Sequence, residues 1–229
     1  MTTDFVMAPQ PAVTLAVEGS PARFPTNRIF CIGRNYAAHA VEMGHDPNRE
    51  PPFFFLKPVS ALATDGIFPF PAGVGEVHHE VELVVALGSG GKDIALEAAM
   101  HCVFGYGIGL DMTLRDVQAE AKKLGRPWDV AKGFDGSAPC GAIVPATRIG
   151  HPTKGEVSLS IDGMERQRGN LDQMIWKVPE MIAALSRSFQ LNAGDLIMTG
   201  TPAGVGPVKP GDHLWAQIEG VGNLTVRVE

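Results

Sequence analysis

Residues 77–87 read VHHEVELVVAL, a β-branched and apolar run with two carboxylates, Glu80 and Glu82, in its first half. That composition predicts a strand. Side chains two apart on a strand share a face, so Glu80 and Glu82 face one way and Val81, Leu83 and Val85 the other. Two like charges side by side on an apolar strand are costly unless something positive sits over them. A hard divalent cation, which takes oxygen ligands, meets that need. An edge strand with a wet outer face meets it as well, and the stretch alone leaves both open.

Asp111 follows a glycine-alternating run, FGYGIGL, where it gives way to a helix. It can complete a set of three carboxylates, which with waters suits octahedral Mg²⁺ or Mn²⁺. It can equally cap the helix. His78 shares the face of Glu80 and is a possible ligand or outer neighbour, whereas His79 points into packing. One histidine at most on that face, and no thiolate pair, makes zinc a poorer fit than a hard cation. His39 and Glu42, three apart, share a helix face. A carboxylate beside an imidazole fixes its tautomer and raises its basicity, as a water-activating base requires. An ordinary surface pair has the same spacing. Arg34, Lys57, Arg115 and Lys132 stand among glycine, proline and apolar residues, where a cation seeks a buried anion or snorkels to solvent. Thr199-Gly200-Thr201 and the glycines after it can form a nest of backbone N–H groups for a carboxylate, or a plain turn. No serine sits in a GxSxG setting, which argues against a serine nucleophile. What remains favours water attack, or enolate chemistry, on a metal-held oxo acid.

The elements that must position these residues are short. The 229 residues, 45% hydrophobic and 19% charged, can bury a sizeable core, and 27 glycines with 18 prolines imply many turns around short strands. Strands are expected at 14–17 and 22–24 as a hairpin, then at 28–32, 53–56, 77–87, 103–110, 157–161, 196–198, 213–219 and 224–228. Asp162-Gly163 reads as a hairpin turn. Helices are expected at 36–43, with Asn35 as its cap, at 114–124 and at 179–189; residues 93–100 begin helically, and 128–139 are irregular. The fold expected is mixed α/β and β-rich, a sheet roll or sandwich rather than a doubly wound sheet. No glycine-rich nucleotide motif follows a strand. A net charge of −6 with no basic run argues against nucleic acid. Three scattered cysteines argue against a disulfide framework. The first residues lack a signal-peptide pattern and no apolar run reaches membrane length, so a cytoplasmic protein is expected.

Six blocks in order resemble the fumarylacetoacetate hydrolase family: IFCIGRNYAAHAVEMG (29–44), FFLKP (54–58), HHEVELVVALG (78–88), GYGIGLDMTLRDVQ (105–118), AKGFDGSAP (131–139) and MTGTPAGVG (198–206). Within the family, AKKLGRPWDVAKGFDGSAPCG (121–141) is similar to the fumarylpyruvate hydrolases of gentisate breakdown. The resemblance implies a mixed β-sandwich roll, with 1–27 a short N-terminal β segment and 28–229 the catalytic domain, and a homodimer. It implies Mg²⁺ or Mn²⁺ on Glu80, Glu82 and Asp111, and a lid around His39 and Glu42. It implies substrate contacts from Lys57, Arg115, Gln118 and Thr201, with Arg34 a further candidate.

The implied reaction is cleavage of the C3–C4 bond of a 2,4-dioxo acid, with fumarylpyruvate giving fumarate and pyruvate. His39, oriented by Glu42, takes a proton from water. Lys132, with Gln118, supports the oxyanion that develops at C4. Arg34 or Arg115 holds the substrate's far carboxylate. Decarboxylation of oxaloacetate is the alternative on the same residues, and a silent ligand-binding protein is the remoter one.

Overall fold

The computed structural model describes residues 4–37 and 50–229. His39, Glu42 and most of the helix expected at 36–43 lie outside them. Strands dominate, joined by few helices. A six-stranded sheet runs in the order Val144–Pro145, Val103–Leu110, Val81–Leu87, Leu196–Met198, Ile29–Gly33, Phe53–Lys57. A five-stranded sheet runs Met164–Asn170, Glu156–Ile161, His213–Ile218, Gly222–Val228, Ile67–Phe68.

Alternation builds the core between them. In Glu156–Ile161 and His213–Ile218 every second side chain is buried. Those residues meet Val81, Leu83, Val85 and Leu87 in the main cluster, which the amphipathic helix Val178–Ser188 closes with Met181, Ile182 and Leu185. The other face of Val81–Leu87 carries Val84 and Ala86 into a second cluster. That cluster includes Leu15 and Phe24 of the N-terminal hairpin Thr14–Val17 and Ser20–Pro25. All seven residues of Val81–Leu87 are buried. The wet edge strand is therefore excluded: this strand lies between Val103–Leu110 and Leu196–Met198.

The alternate glycines of Val103–Leu110 serve close packing rather than ligand room. A Cβ on Gly105 would fall 2.3 Å from the Val144 carbonyl oxygen, and one on Gly109 would fall 2.8 Å from Val84 Cγ2. Asp162 and Gly163 make the expected hairpin turn, both at positive φ, 50° and 79°. The helix expected at 114–124 spans Arg115–Leu124 and ends on Gly125 at φ 63°. Residues 93–100 were expected to begin a helix; the turn is a 3₁₀ helix at Leu96–Cys102. The irregular stretch holds a one-turn helix, Asp129–Lys132.

The single strand expected at 77–87 is two. Val77–His79 pairs with Thr113–Leu114 and Gly206–Val208 in a separate three-stranded sheet, while Val81–Leu87 belongs to the six-stranded one. Glu80 sits at the changeover. Its neighbour strand changes sheets at the matching place, between Leu110 and Thr113, and the Asp111 N–H donates to the Glu80 carbonyl at 2.8 Å. The chain after Leu196–Met198 makes the same move through Thr199-Gly200-Thr201 to reach Gly206–Val208. Three strands thus turn one corner together.

Candidate metal centre and ligand cleft

Where paired strands turn a corner together, side chains from neighbouring strands converge on one point. At this corner Glu80, Glu82 and Asp111, all buried, each bring a carboxylate oxygen within 4.8 Å of the others. Three charges so close are held by cations and N–H groups. The Lys132 ammonium donates to Glu80 Oε2 at 2.8 Å and Asp111 Oδ2 at 2.7 Å. Arg115 Nη1 donates to Glu80 Oε1 at 3.1 Å and to Gln118 Oε1 at 2.9 Å. The Gly200 N–H donates to Glu82 Oε2 at 2.7 Å, so the nest expected at 199–201 serves the protein's own carboxylate.

The electrostatics follow from burial and crowding. Burial first, then Asp111 and Glu80, push Glu82 well above the usual carboxylate range. Burial alone would lower the Lys132 ammonium, but Asp111 and Glu80 overcome it and hold Lys132 firmly charged.

The donor set fits a hard cation. It is all oxygen, and Asp111 Oδ1 is buried without a hydrogen bond. Lys57 Nζ lies 2.8 Å from that oxygen, but its N–H groups are directed at carbonyls of Met112 and Ser137, at the Ser137 hydroxyl and at the Lys132 carbonyl. An oxygen with charge compensation but no directed donor is suited to a metal.

A narrow cleft of about 40 Å³ opens onto the three carboxylates. Arg34, Arg115, Gln118, Lys132 and Thr201 line it, together with Phe55, Lys122 and Trp128. Lys57 does not. It is fully buried beneath the carboxylates, so the expected substrate contact becomes support for Asp111 and the Lys132 turn. Thr201 lines the cleft, but its hydroxyl is engaged, donating to the Val81 carbonyl and accepting from Gln167, both at 2.8 Å. His78 leaves the site: its Nε2 is 3.1 Å from Glu76, and among the described residues no histidine joins the carboxylate cluster. The helix that Asn35 is expected to cap lies mostly outside the described residues, but Asn35 has further partners. It accepts from the Trp176 N–H at 2.7 Å and donates to the Trp176 and Thr199 carbonyls, pinning the Thr199–Thr201 turn.

Gln167 was not visible in the sequence. From the strand Met164–Asn170 its Oε1 accepts from the Val81 N–H at 3.0 Å, and its amide nitrogen donates to Thr201 and to the Pro202 carbonyl. Those backbone partners fix the amide's orientation. The His79 Nδ1, 2.9 Å from the same oxygen, must then carry the proton. Burial pushes His79 down to about 4, with the Gln167 bond opposing, so the ring is neutral.

The fumarylacetoacetate hydrolase C-terminal model matches residues 28–229. The chain belongs to the fumarylacetoacetate hydrolase family. It superposes on the fumarylpyruvate hydrolase of Pseudomonas aeruginosa, solved with Mn²⁺ and pyruvate, with a TM-score of 0.95, 49% identity, and 98% and 99% of the two chains covered. Among curated relatives, the mitochondrial oxaloacetate decarboxylase of Dictyostelium discoideum is 45% identical over 85% of this chain and 89% of its own. The oxaloacetate tautomerase YcgM of Escherichia coli is 42% identical over 92% and 96%. The family's mixed, strand-rich fold is the one described above, and the buried acidic triad is a site that could hold a metal in this member as well.

Proposed function

We propose that this family member hydrolyses the C3–C4 bond of an acylpyruvate, with fumarylpyruvate as substrate and fumarate and pyruvate as products. The observation that carries the reading is a buried all-oxygen triad at the floor of a cleft whose walls are cationic. Mg²⁺ or Mn²⁺ on Glu80, Glu82 and Asp111 would act as a Lewis acid for the 1-carboxylate and 2-oxo oxygens of the substrate. Lys132, held charged, donates two N–H groups to Glu80 and Asp111 and would offer the third to the oxygen that gains charge as water adds to C4. Gln118, buried at the cleft with its Oε1 held by Arg115, would offer its amide nitrogen to the same oxygen. Arg115 keeps Glu80 and Gln118 in register. Water contributes its hydroxyl to C4, the C3–C4 bond breaks, and C3 takes up a proton, which yields pyruvate and the free acid. His39, oriented by Glu42, is the proposed base for that water. The same reading carries a homodimer, which light scattering on the purified chain tests.

A second reading, decarboxylation or tautomerisation of oxaloacetate, is favoured by the names of the curated relatives. Water activation separates the two. Loss of the enol absorbance is followed for fumarylpyruvate, maleylpyruvate, acetylpyruvate and oxaloacetate, with and without metal. His39→Ala should lower acylpyruvate hydrolysis by about 100-fold or more and spare any action on oxaloacetate. Hydrolysis at the wild-type rate in that variant contradicts the assignment, and turnover of oxaloacetate alone supports the second reading.

A further inference from the structure

Arg115, Gln118 and Lys122 lie along one side of the helix Arg115–Leu124, and all three line the cleft. Arg115 is occupied by Glu80 and Gln118. Lys122 is different. It is half-buried, and its ammonium stands over the Trp128 ring, 5.1 Å from the centroid. Among the described residues no carboxylate lies within ion-pair distance of it, nor of Arg34. A half-buried cation resting on an aromatic face, with no counter-ion among the described residues, is poised for a further anion.

Its place in the cleft says which anion. Arg34, Phe55, Lys122 and Trp128 line both the cleft and the wider groove outside it, whereas Glu80, Glu82, Asp111 and Lys132 line the cleft alone. Lys122 therefore stands at the mouth. The seven helical steps from Arg115 to Lys122 rise about 10 Å. A second carboxylate set one methylene from the reacting oxo group, as in oxaloacetate, stays near the floor. One at the end of an unsaturated four-carbon acyl chain reaches outward.

We propose that Lys122, with Arg34, is the specificity-determining anchor for the far carboxylate of a long dicarboxylic acylpyruvate. This rests on the acylpyruvate reading above. The local field agrees. Burial first, then Arg115 and Arg34, bring Lys122 down to about 8, with Lys132 adding to the repulsion and Glu80 opposing it. A carboxylate between Lys122 and Arg34 relieves that repulsion and keeps the ammonium charged.

The test compares wild type, Lys122→Met and Lys122→Arg, all loaded with Mn²⁺. Turnover is measured on fumarylpyruvate and acetylpyruvate, and fumarate binding by calorimetry. Lys122→Met should raise KM for fumarylpyruvate at least tenfold with kcat within twofold. It should leave KM for acetylpyruvate within twofold and weaken fumarate binding about tenfold, and Lys122→Arg should restore all three. Equal effects on both substrates, or unchanged fumarate binding, overturn the anchor. A wild-type protein that cleaves neither substrate yet binds fumarate in a Lys122-dependent way overturns the reaction reading and retains the anchor.

Discussion

At the residue scale, the site balances three buried carboxylates against Lys57, Lys132 and Arg115, and each cation has a distinct place. Lys132 bridges two carboxylates, Arg115 joins Glu80 to Gln118, and Lys57 supports Asp111 from below. His79, beside Glu80, gives a pH signature. Its folded value near 4 lies below the ordinary 6.5, so between those values the unfolded chain binds more protons than the native one. The contribution is present above about pH 6.5 and is lost as pH falls toward 4, with a ceiling of about 3 kcal/mol. Urea titrations at pH 7 and pH 4.5 should show that His79→Asn loses less stability on acidification than wild type; parallel losses would remove His79 from the acid limb. Glu80, Glu82, Asp111 and Lys132 stood out as charges in apolar surroundings, but the residues alone left a wet strand face, a helix cap and a snorkelling cation open, and only the family resemblance joined them into one site. Gln167 did not stand out. It is uncharged and sits in the polar stretch MERQRGN, to which the sequence pattern assigns no element. That Lys57 lies under the site rather than in it depends on which side of Phe53–Lys57 meets the corner, which the FFLKP motif does not state.

At the element scale, the functional feature is the corner where three strands change sheets. Most strands of the six-stranded sheet were legible from alternation and β-branched content, and the helix Val178–Ser188 from periodicity, whereas Met164–Asn170 and Gly206–Val208 were not. Nor was the break at Glu80, because VHHEVELVVAL continues its strand pattern through it. Only long-range pairing, with Thr113–Leu114 and Gly206–Val208 on one side and Leu196–Met198 on the other, creates the break. Gln167 and Asn35 hold the corner together from elements far away in sequence. Gln167→Leu should leave the Val81 N–H, the Pro202 carbonyl and the His79 Nδ1–H unpaired. It should cost about 2–4 kcal/mol, and it should weaken Mn²⁺ binding because Glu80 lies between His79 and Val81. Calorimetric melting and metal titration measure both. A melting temperature and affinity equal to wild type would show that the corner does not need this amide.

At the scale of the whole molecule, the two-faced burial of Val81–Leu87 anchors the site. Packed on both sides, the strand cannot shift register without moving apolar side chains into water. No helix among the described residues is long and apolar enough to cross a membrane. Similar proteins carry names for hydrolysis and for oxaloacetate chemistry, and on the proposed chemistry both reactions develop an enolate that the corner residues would serve. On the proposed chemistry, the difference lies in water activation and in the cationic mouth formed by Arg34 and Lys122. The measurement that tests this most directly is the product balance from fumarylpyruvate with Mn²⁺, for wild type and for Glu80→Gln. The account predicts pyruvate and fumarate in equal amounts, no carbon dioxide, and loss of both products together with metal binding in the variant. Undiminished product from Glu80→Gln, or a wild type that leaves fumarylpyruvate intact while consuming oxaloacetate, would contradict it.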